Sequence, residues 1–198
     1  DMPAALKRLG TVKTNANGAV IEVSIHDLDI TDADLPLLAR LPTLEKLSLV
    51  GTQINGSGLA ELAACRQLTL LNLARNQLAS RHVSELSQLS QLRVLGLRQT
   101  GVTDTDLVPL ASLKQLATLQ LSRNPISDRA LDAVASLPQL TLLHAIDTKV
   151  TTAGSLAAVA KSPQLVITCP DGEIGSRVIA VTRPIDPNLT KQIGRFKK

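Results

Sequence analysis

The sequence predicts a right-handed α/β solenoid, and two observations support this prediction. A unit of 24 residues recurs in register along most of the 198-residue chain, and a fixed period of about this length is typical of stacked repeats. Each unit also passes from the alternating pattern of a strand to the spacing of a helix face. Six full copies begin at Val20, Leu44, Leu68, Leu92, Leu116 and Leu140, and a partial seventh begins one residue late at Leu165.

The first part of each unit predicts a short strand with one buried face. Leu95 and Leu97 are separated by one small residue, and Leu119 and Leu121 by one polar residue. Successive side chains of a strand point to opposite faces of the sheet. The leucines therefore belong to the core, and the residues between them are expected to face solvent.

The ninth position of the unit carries a buried polar side chain in our interpretation. It faces the inside of the turn after the strand, where backbone groups lie in no ladder and still need partners. An amide can both donate and accept there, and a threonine hydroxyl does so over a shorter reach. From the second to the sixth copy this position holds Thr52, Asn76, Thr100, Asn124 and Thr148, whereas the first copy has Leu28.

The second part of each unit predicts a helix. Thr103-Asp104 and Ser127-Asp128 each offer an N-cap hydroxyl and an acid in the first turn, which suits the exposed N–H groups and the helix dipole. Apolar residues then recur three apart, which places them on one helix face. A single unit cannot enclose its own apolar face, whereas stacked units bury it between neighbours.

The repeated pattern L-x-x-L-x-L-x-x-(N/T)-x-L, in register over about residues 20–169, resembles the leucine-rich repeat family. It is most similar to bacterial-type repeats whose helix starts with T-D-x-x-L. The resemblance implies parallel strands on the concave side of an arc and helices on the convex side. It also implies atypical repeats at both ends, which fits Leu28 and the loss of the pattern after Cys169.

Both ends of the chain depart from the repeat. Residues 1–19 are predicted to cap the first repeat, with a short helix over residues 3–10 and a hairpin between residues 11–14 and 19–25. Residues 20–169 form the repeats. Residues 170–198 are predicted to be a C-terminal cap or a basic tail that engages an acidic partner. Six basic and three acidic side chains in this segment account for +3 of the chain's net charge of +4.

The sequence offers no convincing catalytic or metal site. The histidines lie far apart in the predicted array, at His26, His82 and His144. Ser24, His26, Asp27 and Asp29 can be written as a triad or a metal site, but they lack an oxyanion donor and a fixed ligand spacing. We expect a solvated polar face there, no enzyme activity, no metal and no cofactor.

Composition also argues against nucleic-acid binding and membrane insertion. Phe196 is the only aromatic residue, so single-stranded nucleic acid would find no stacking platform. No apolar run approaches the roughly 18 residues of a membrane span. Cys65 and Cys169 lie five repeats apart, too far for a disulfide, and are expected to be buried. Because the sequence starts at Asp1, two interpretations stay open: an exported protein whose leader has been removed, and a cytoplasmic protein.

The predicted concave face is the candidate site. Its rows across the central copies are Asn72, Gly96, Gln120 and His144; Ala74, Arg98, Ser122 and Ile146; Arg75, Gln99, Arg123 and Asp147; and Leu70, Val94, Thr118 and Leu142. Three arginines beside an apolar strip are typical of interfaces. We expect a monomeric, non-catalytic module that binds a protein or peptide, with an acidic partner favoured. The alternative is a structural segment of a larger protein whose working site lies elsewhere. The residues expected to contact the partner are Arg75, Arg98, Arg123, Gln99, Gln120, His144, Asn72, Leu70, Val94 and Leu142.

Overall fold

A computed structural model describes residues 10–168. One sheet contains all eight strands of this part of the chain, and neighbours in the sheet are neighbours in sequence. The strands are β1 Thr11–Thr14, β2 Val20–His26, β3 Lys46–Val50, β4 Leu70–Asn72, β5 Val94–Gly96, β6 Thr118–Gln120, β7 Leu142–His144 and β8 Val166–Thr168. Strands β2 to β8 are parallel, and only β1 pairs antiparallel with its neighbour. The sheet is open and forms the concave side of an arc.

The strands pair in the register that the repeat predicts. Leu71, Leu95, Leu119 and Leu143 lie opposite one another on four successive strands, and all four side chains are fully buried. Each row of the sheet therefore contains residues 24 apart in sequence. The expected stacking of the leucines in a common core is confirmed.

A single hydrophobic cluster runs the length of the solenoid. Leu95 in β5 and Leu97 just after it belong to the same cluster as Leu107 and Leu110 of the 3-10 helix that follows, and all four are fully buried. Burying a leucine side chain contributes about 1.5–3 kcal/mol relative to leaving it exposed. The array is thus held together by aliphatic packing between successive units.

The segments on the convex side are short, and half of them are 3-10 helices. The α-helices are α1 Leu35–Ala39, α2 Ser80–Val83, α3 Asp128–Val134 and α4 Thr152–Lys161. The 3-10 helices are Asp32–Asp34, Leu59–Ala64, Ser84–Gln88 and Thr105–Ser112. The prediction of an ordinary amphipathic helix in every unit is therefore wrong in several copies. The fourth copy contains Pro109 inside its helix, where a proline removes a hydrogen-bond donor, and the other 3-10 segments are only three to six residues long.

The two predicted helix caps behave differently. Ser127 is the N-cap of α3, and its hydroxyl accepts a hydrogen bond from the Arg129 N–H at 3.4 Å. Thr103 is not a cap of this kind, because its hydroxyl donates to the Asp106 carboxylate at 2.8 Å. Asp104 instead bonds to the next repeat, accepting from the Ser127 N–H at 2.7 Å and from its hydroxyl at 2.6 Å. The acid thereby links two neighbouring units.

The N-terminal hairpin is confirmed, since β1 and β2 pair antiparallel across the turn at residues 15–18. Residues 3–9 of the predicted helix, Cys169, and the predicted cap or tail over 170–198 lie outside the described residues. The sixth copy is one residue longer than the others and contains α4, which has ten residues. Strand β8 still pairs in register with β7, with Ile167 opposite Leu143.

Candidate functional site

Three rows of side chains line the open face of the central strands. The pairing of β4 to β7 places Leu70, Val94, Thr118 and Leu142 in one row and Asn72, Gly96, Gln120 and His144 in the next. We call the first the apolar row and the second the amide row. Every member is partly exposed except Gly96, which is buried. The third row, two residues further along the chain, is the Arg98 row: Ala74, Arg98, Ser122 and Ile146.

The small residues of this face are buried. The buried Gly96 has no room for a side chain, because an added Cβ would lie 2.5 Å from the Asn72 amide oxygen. Ala74 and Ser122 are each only 8% exposed. The expectation that every residue between the leucines faces solvent is therefore wrong at these positions. Arg98, which is exposed, therefore lies between two buried small residues of its row.

One residue further along the chain lies a fourth row, which we call the charged row. Its backbone conformation was not predicted by the alternation of a strand. Strands β4 to β7 are only three residues long, so the chain has left the strand before it reaches this row. The row adopts left-handed φ values of 52° to 65° at Asp27, Gly51, Arg75, Gln99, Arg123 and Asp147. This turn directs the following side chain, at the ninth position, into the interior.

Buried asparagines hold the turn beneath the charged row. The Asn76 amide nitrogen donates to the carbonyl of Leu49 at 2.6 Å and to that of Leu73 at 2.9 Å. Its oxygen accepts from the Thr52 hydroxyl at 2.9 Å and from the Ile54 N–H at 3.2 Å. The predicted role of the ninth position is therefore confirmed. The strand ends that present the candidate site are tied together between copies.

Two of the three predicted arginines already have acidic partners. Arg75 Nη2 lies 3.0 Å from Asp27 Oδ1, although these residues belong to copies that are not adjacent. Gly51 lies between them, and a Cβ there would come within 2.3 Å of that oxygen. The pair therefore forms across a position without a side chain.

The second pair lies at the other end of the charged row. Arg123 Nε lies 3.1 Å from Asp147 Oδ2 on the adjacent repeat. In each of the two pairs both side chains are about half exposed, and such pairs contribute at most about 1 kcal/mol to stability. Their main effect is to neutralise the charged row at both ends.

Arg98 is different, because its side chain forms no ion pair or hydrogen bond with any residue of the described part of the chain. It is exposed, as is Gln99, and Gln120 is partly exposed. The amides of Gln99 and Gln120 likewise make no side-chain hydrogen bond within residues 10–168. The centre of the face thus offers one cation and two amides that are available to another molecule.

His144 is the ionisable member of the amide row. Its Nδ1 lies 3.0 Å from the Thr168 hydroxyl oxygen. Burial lowers the pKa of the imidazole below its ordinary value, because a low-dielectric environment disfavours the charged form. The ring is therefore neutral at pH 7 and acts as a hydrogen-bonding group beside Leu142 and Gln120.

The acids beside Ser24 and His26 are engaged elsewhere. Ser24 Oγ lies 2.7 Å from His26 Nε2 in an exposed position. Asp27 pairs with Arg75, and Asp29 accepts from the Gln53 amide at 2.6 Å. Within residues 10–168 no group of three or more histidine, cysteine or acidic side chains is placed to hold a metal ion. No helix in the same range is long and apolar enough to cross a membrane.

Sequence reasoning missed the roles of Asp27 and Asp147. The signal was present in the repeat, since both acids and both paired arginines occupy the same position of their units. Residues 24 apart at that position are neighbours, and a glycine between two copies brings residues 48 apart within reach. Cys65 is buried and free as expected, and burial raises the pKa of its thiol.

Comparisons with known proteins agree with this architecture. A family model described as Leucine Rich repeat matches residues 40–63. An internalin (InlF) from Listeria monocytogenes has a similar structure, with a TM-score of 0.56 and 22% sequence identity over 73% of this chain and 38% of that chain. The present chain thus spans about two fifths of the length of that internalin. At this identity the likeness concerns the fold.

A second internalin, C2 (InlC2) from the same species, gives a TM-score of 0.47 at 23% identity, over 76% of this chain and 80% of that chain. No curated protein matched the sequence significantly. The 24-residue period, the in-register parallel strands, the buried ninth position and the matching family model all describe the same unit. The described part of the chain therefore has the architecture of a leucine-rich repeat solenoid.

Proposed function

We propose that this protein is a non-catalytic module that binds another protein or a peptide on its concave face. The observation that carries the proposal is Arg98, an exposed arginine at the centre of that face that has no acidic partner within residues 10–168. Solenoids of stacked repeats create extended concave surfaces that serve for binding. In our proposal the module acts as a monomer.

The apolar row supplies the second part of the proposed contact. Leu70, Val94 and Leu142 are partly exposed on β4, β5 and β7, and Thr118 of β6 lies between the last two. Apolar side chains beside an arginine are typical of the residues that dominate binding energy at interfaces. A partner that covers the apolar row removes its apolar surface from water. The partner's polar groups can then form hydrogen bonds with the amides of Gln99 and Gln120.

The charge pattern favours a partner with a carboxylate. Asp27 and Asp147 neutralise Arg75 and Arg123, so the proposed contact is centred on Arg98 rather than on three equivalent arginines. A guanidinium binds a carboxylate through two parallel hydrogen bonds. The short, ladder-bonded strands hold the surrounding side chains at fixed spacing, so less ordering is required when the partner binds.

The test compares a concave and a convex substitution of the same kind. Partners are captured with the wild type, and their affinities are then measured for Arg98→Glu and for Arg129→Glu, an exposed position on α3. We expect Arg98→Glu to weaken binding by about tenfold or more, since it removes a charge-assisted contact and adds repulsion. Arg129→Glu should bind like the wild type.

Two results would contradict the proposal. A partner that binds the Arg98→Glu variant normally and loses affinity for the Arg129→Glu variant would place the contact on the convex side. If both variants retain every captured partner, the concave face has no binding role. That outcome would favour the alternative, a structural segment of a larger protein.

A further inference from the structure

The border of the sheet where each helix ends and the next strand begins carries a second candidate site. Two adjoining clefts lie between successive turns there, with volumes of about 290 Å³ and 590 Å³. Both are lined by Ser90 and Gln91, so they form one continuous depression. We call it the border cleft. It is separate from the concave face and from the residues of the proposed function.

Every charged side chain that lines the border cleft is a cation. Arg66 lines the first part, and Arg93 and Lys114 line the second. All three are exposed, and none is ion-paired to another residue of the described chain. Among the uncharged polar side chains of the lining, the amides of Gln88, Gln91 and Gln115 can donate hydrogen bonds. The hydroxyls of Thr69, Ser90 and Ser112 already donate within the chain.

The two arginines are not needed to complete the backbone hydrogen bonds at this border. The carbonyl of Leu62 accepts from the Cys65 N–H at 2.9 Å, and that of Leu110 accepts from the Leu113 N–H at 3.0 Å. Among the three cations only Lys114 bonds to a helix end, through Nζ to the Ala111 carbonyl at 2.7 Å. Among residues 10–168 nothing occupies the guanidinium groups of Arg66 and Arg93, so both can bind a ligand.

The spacing of the cations indicates the kind of ligand. Arg66 and Lys114 occupy the same position of units two apart, and neighbouring strands lie about 4.8 Å from each other, so the two positions are about 10 Å apart. Arg93 lies at the start of the unit that Lys114 ends, three residues after Ser90, which holds the same position in the intervening unit. Arginine side chains bind phosphate and similar oxyanions through paired N–H groups. Three cations over this distance suit several linked oxyanions better than one.

We propose that the border cleft binds a soluble ligand that carries two or more phosphate groups. The phosphates contact Arg66, Arg93 and Lys114, and the amides of Gln91 and Gln115 donate hydrogen bonds to the oxygens that remain. The ligand leaves the concave face free, so both sites can be occupied in the same molecule.

Isothermal titration calorimetry with tripolyphosphate tests this site. The wild type should bind one tripolyphosphate per chain in a saturable manner, and tenfold more salt should weaken binding because these charges are exposed. The variant Arg66→Gln/Arg93→Gln/Lys114→Gln should bind at least about tenfold more weakly, since it loses three charge-assisted contacts. The matched control is Arg81→Gln/Arg129→Gln/Lys149→Gln, which removes the same charge from exposed positions elsewhere and should bind like the wild type.

Further outcomes and measurements distinguish this proposal from alternative explanations of binding. Equal losses in both triple variants would show attraction by net charge alone and overturn the site. So would the absence of saturable binding, or inorganic phosphate binding as tightly as tripolyphosphate. Binding to vesicles that contain phosphatidic acid, without binding to tripolyphosphate, would indicate a membrane surface instead. An Arg98→Gln variant should keep its affinity for tripolyphosphate, so failure of the concave-face proposal remains distinguishable from failure of this one.

Discussion

Replacing Asn124 by alanine is the sharpest test of how the repeats are held together. The side chain is 3% exposed. Its amide nitrogen donates to the carbonyls of Leu97 at 2.6 Å and Leu121 at 2.9 Å. Its oxygen accepts from the N–H groups of Thr100 at 3.0 Å and Gly101 at 2.9 Å. One side chain thus joins two adjacent units through four backbone groups.

The expected loss follows from what the truncation leaves behind. In the variant the Leu97 carbonyl still accepts a hydrogen bond from the Thr100 hydroxyl at 2.8 Å. The Gly101 N–H can bind water instead, because Gly101 is exposed. The Leu121 carbonyl and the Thr100 N–H have no other partner within residues 10–168. Each buried polar group left unpaired costs about 1–3 kcal/mol, so the two groups together should destabilise the Asn124→Ala variant by about 2–6 kcal/mol.

Urea titrations followed by far-UV circular dichroism measure this loss. Arg129→Ala, an exposed change on α3, should cost less than about 0.5 kcal/mol. Asn124→Asp retains the acceptor and loses the donor, so it should be at least as destabilising as the alanine variant. Equal free energies of unfolding for Asn124→Ala and Arg129→Ala would refute the role assigned to the ninth position.

Three further changes test other parts of the structure. Asp128 accepts from the N–H and the hydroxyl of Thr151 on the next repeat, both at 2.7 Å, so Asp128→Ala should cost about 1–2 kcal/mol in the same titration. Gly51 has a φ of +65° and no room beside Asp27, so Gly51→Ala should cost about 1 kcal/mol or more. The pKa of His144 is lower in the folded chain than in the unfolded one. The unfolded chain therefore binds more protons, and stability should fall as pH drops below about 6.5 towards the folded pKa; His144→Gln should reduce this dependence between pH 7 and pH 5.

The sequence was sufficient for the architecture because the repeat fixes the register. Leu95, Leu119 and Leu143 recur at 24-residue intervals, and the sheet places them side by side. The ninth position was equally predictable, since Asn124 falls where backbone groups need partners. The helix caps on the convex side were less predictable. A hydroxyl before an acid predicts an N-cap, but Thr103 donates to Asp106 instead of accepting.

The sequence predicted which residues form the candidate face, but it did not predict the ion pairs of its arginines. Strand alternation identified the apolar and amide rows because it holds within the strands. It does not extend to Arg75 and Arg123, where the backbone is left-handed. Arg75 and Asp27 follow strands that are two apart in the sheet. They can pair because Gly51, which lies between them, has no side chain. A pattern within one unit cannot reveal a contact between units that are not adjacent.

Site-specific photocross-linking tests most directly whether the concave face is the contact surface. A photoreactive residue replaces Gln120, which lies in the amide row, or Arg129, which lies on α3. The partner captured by the wild type should be trapped from position 120 and not from position 129. Cross-links that form only from position 129 would contradict the assignment of the binding site to the sheet.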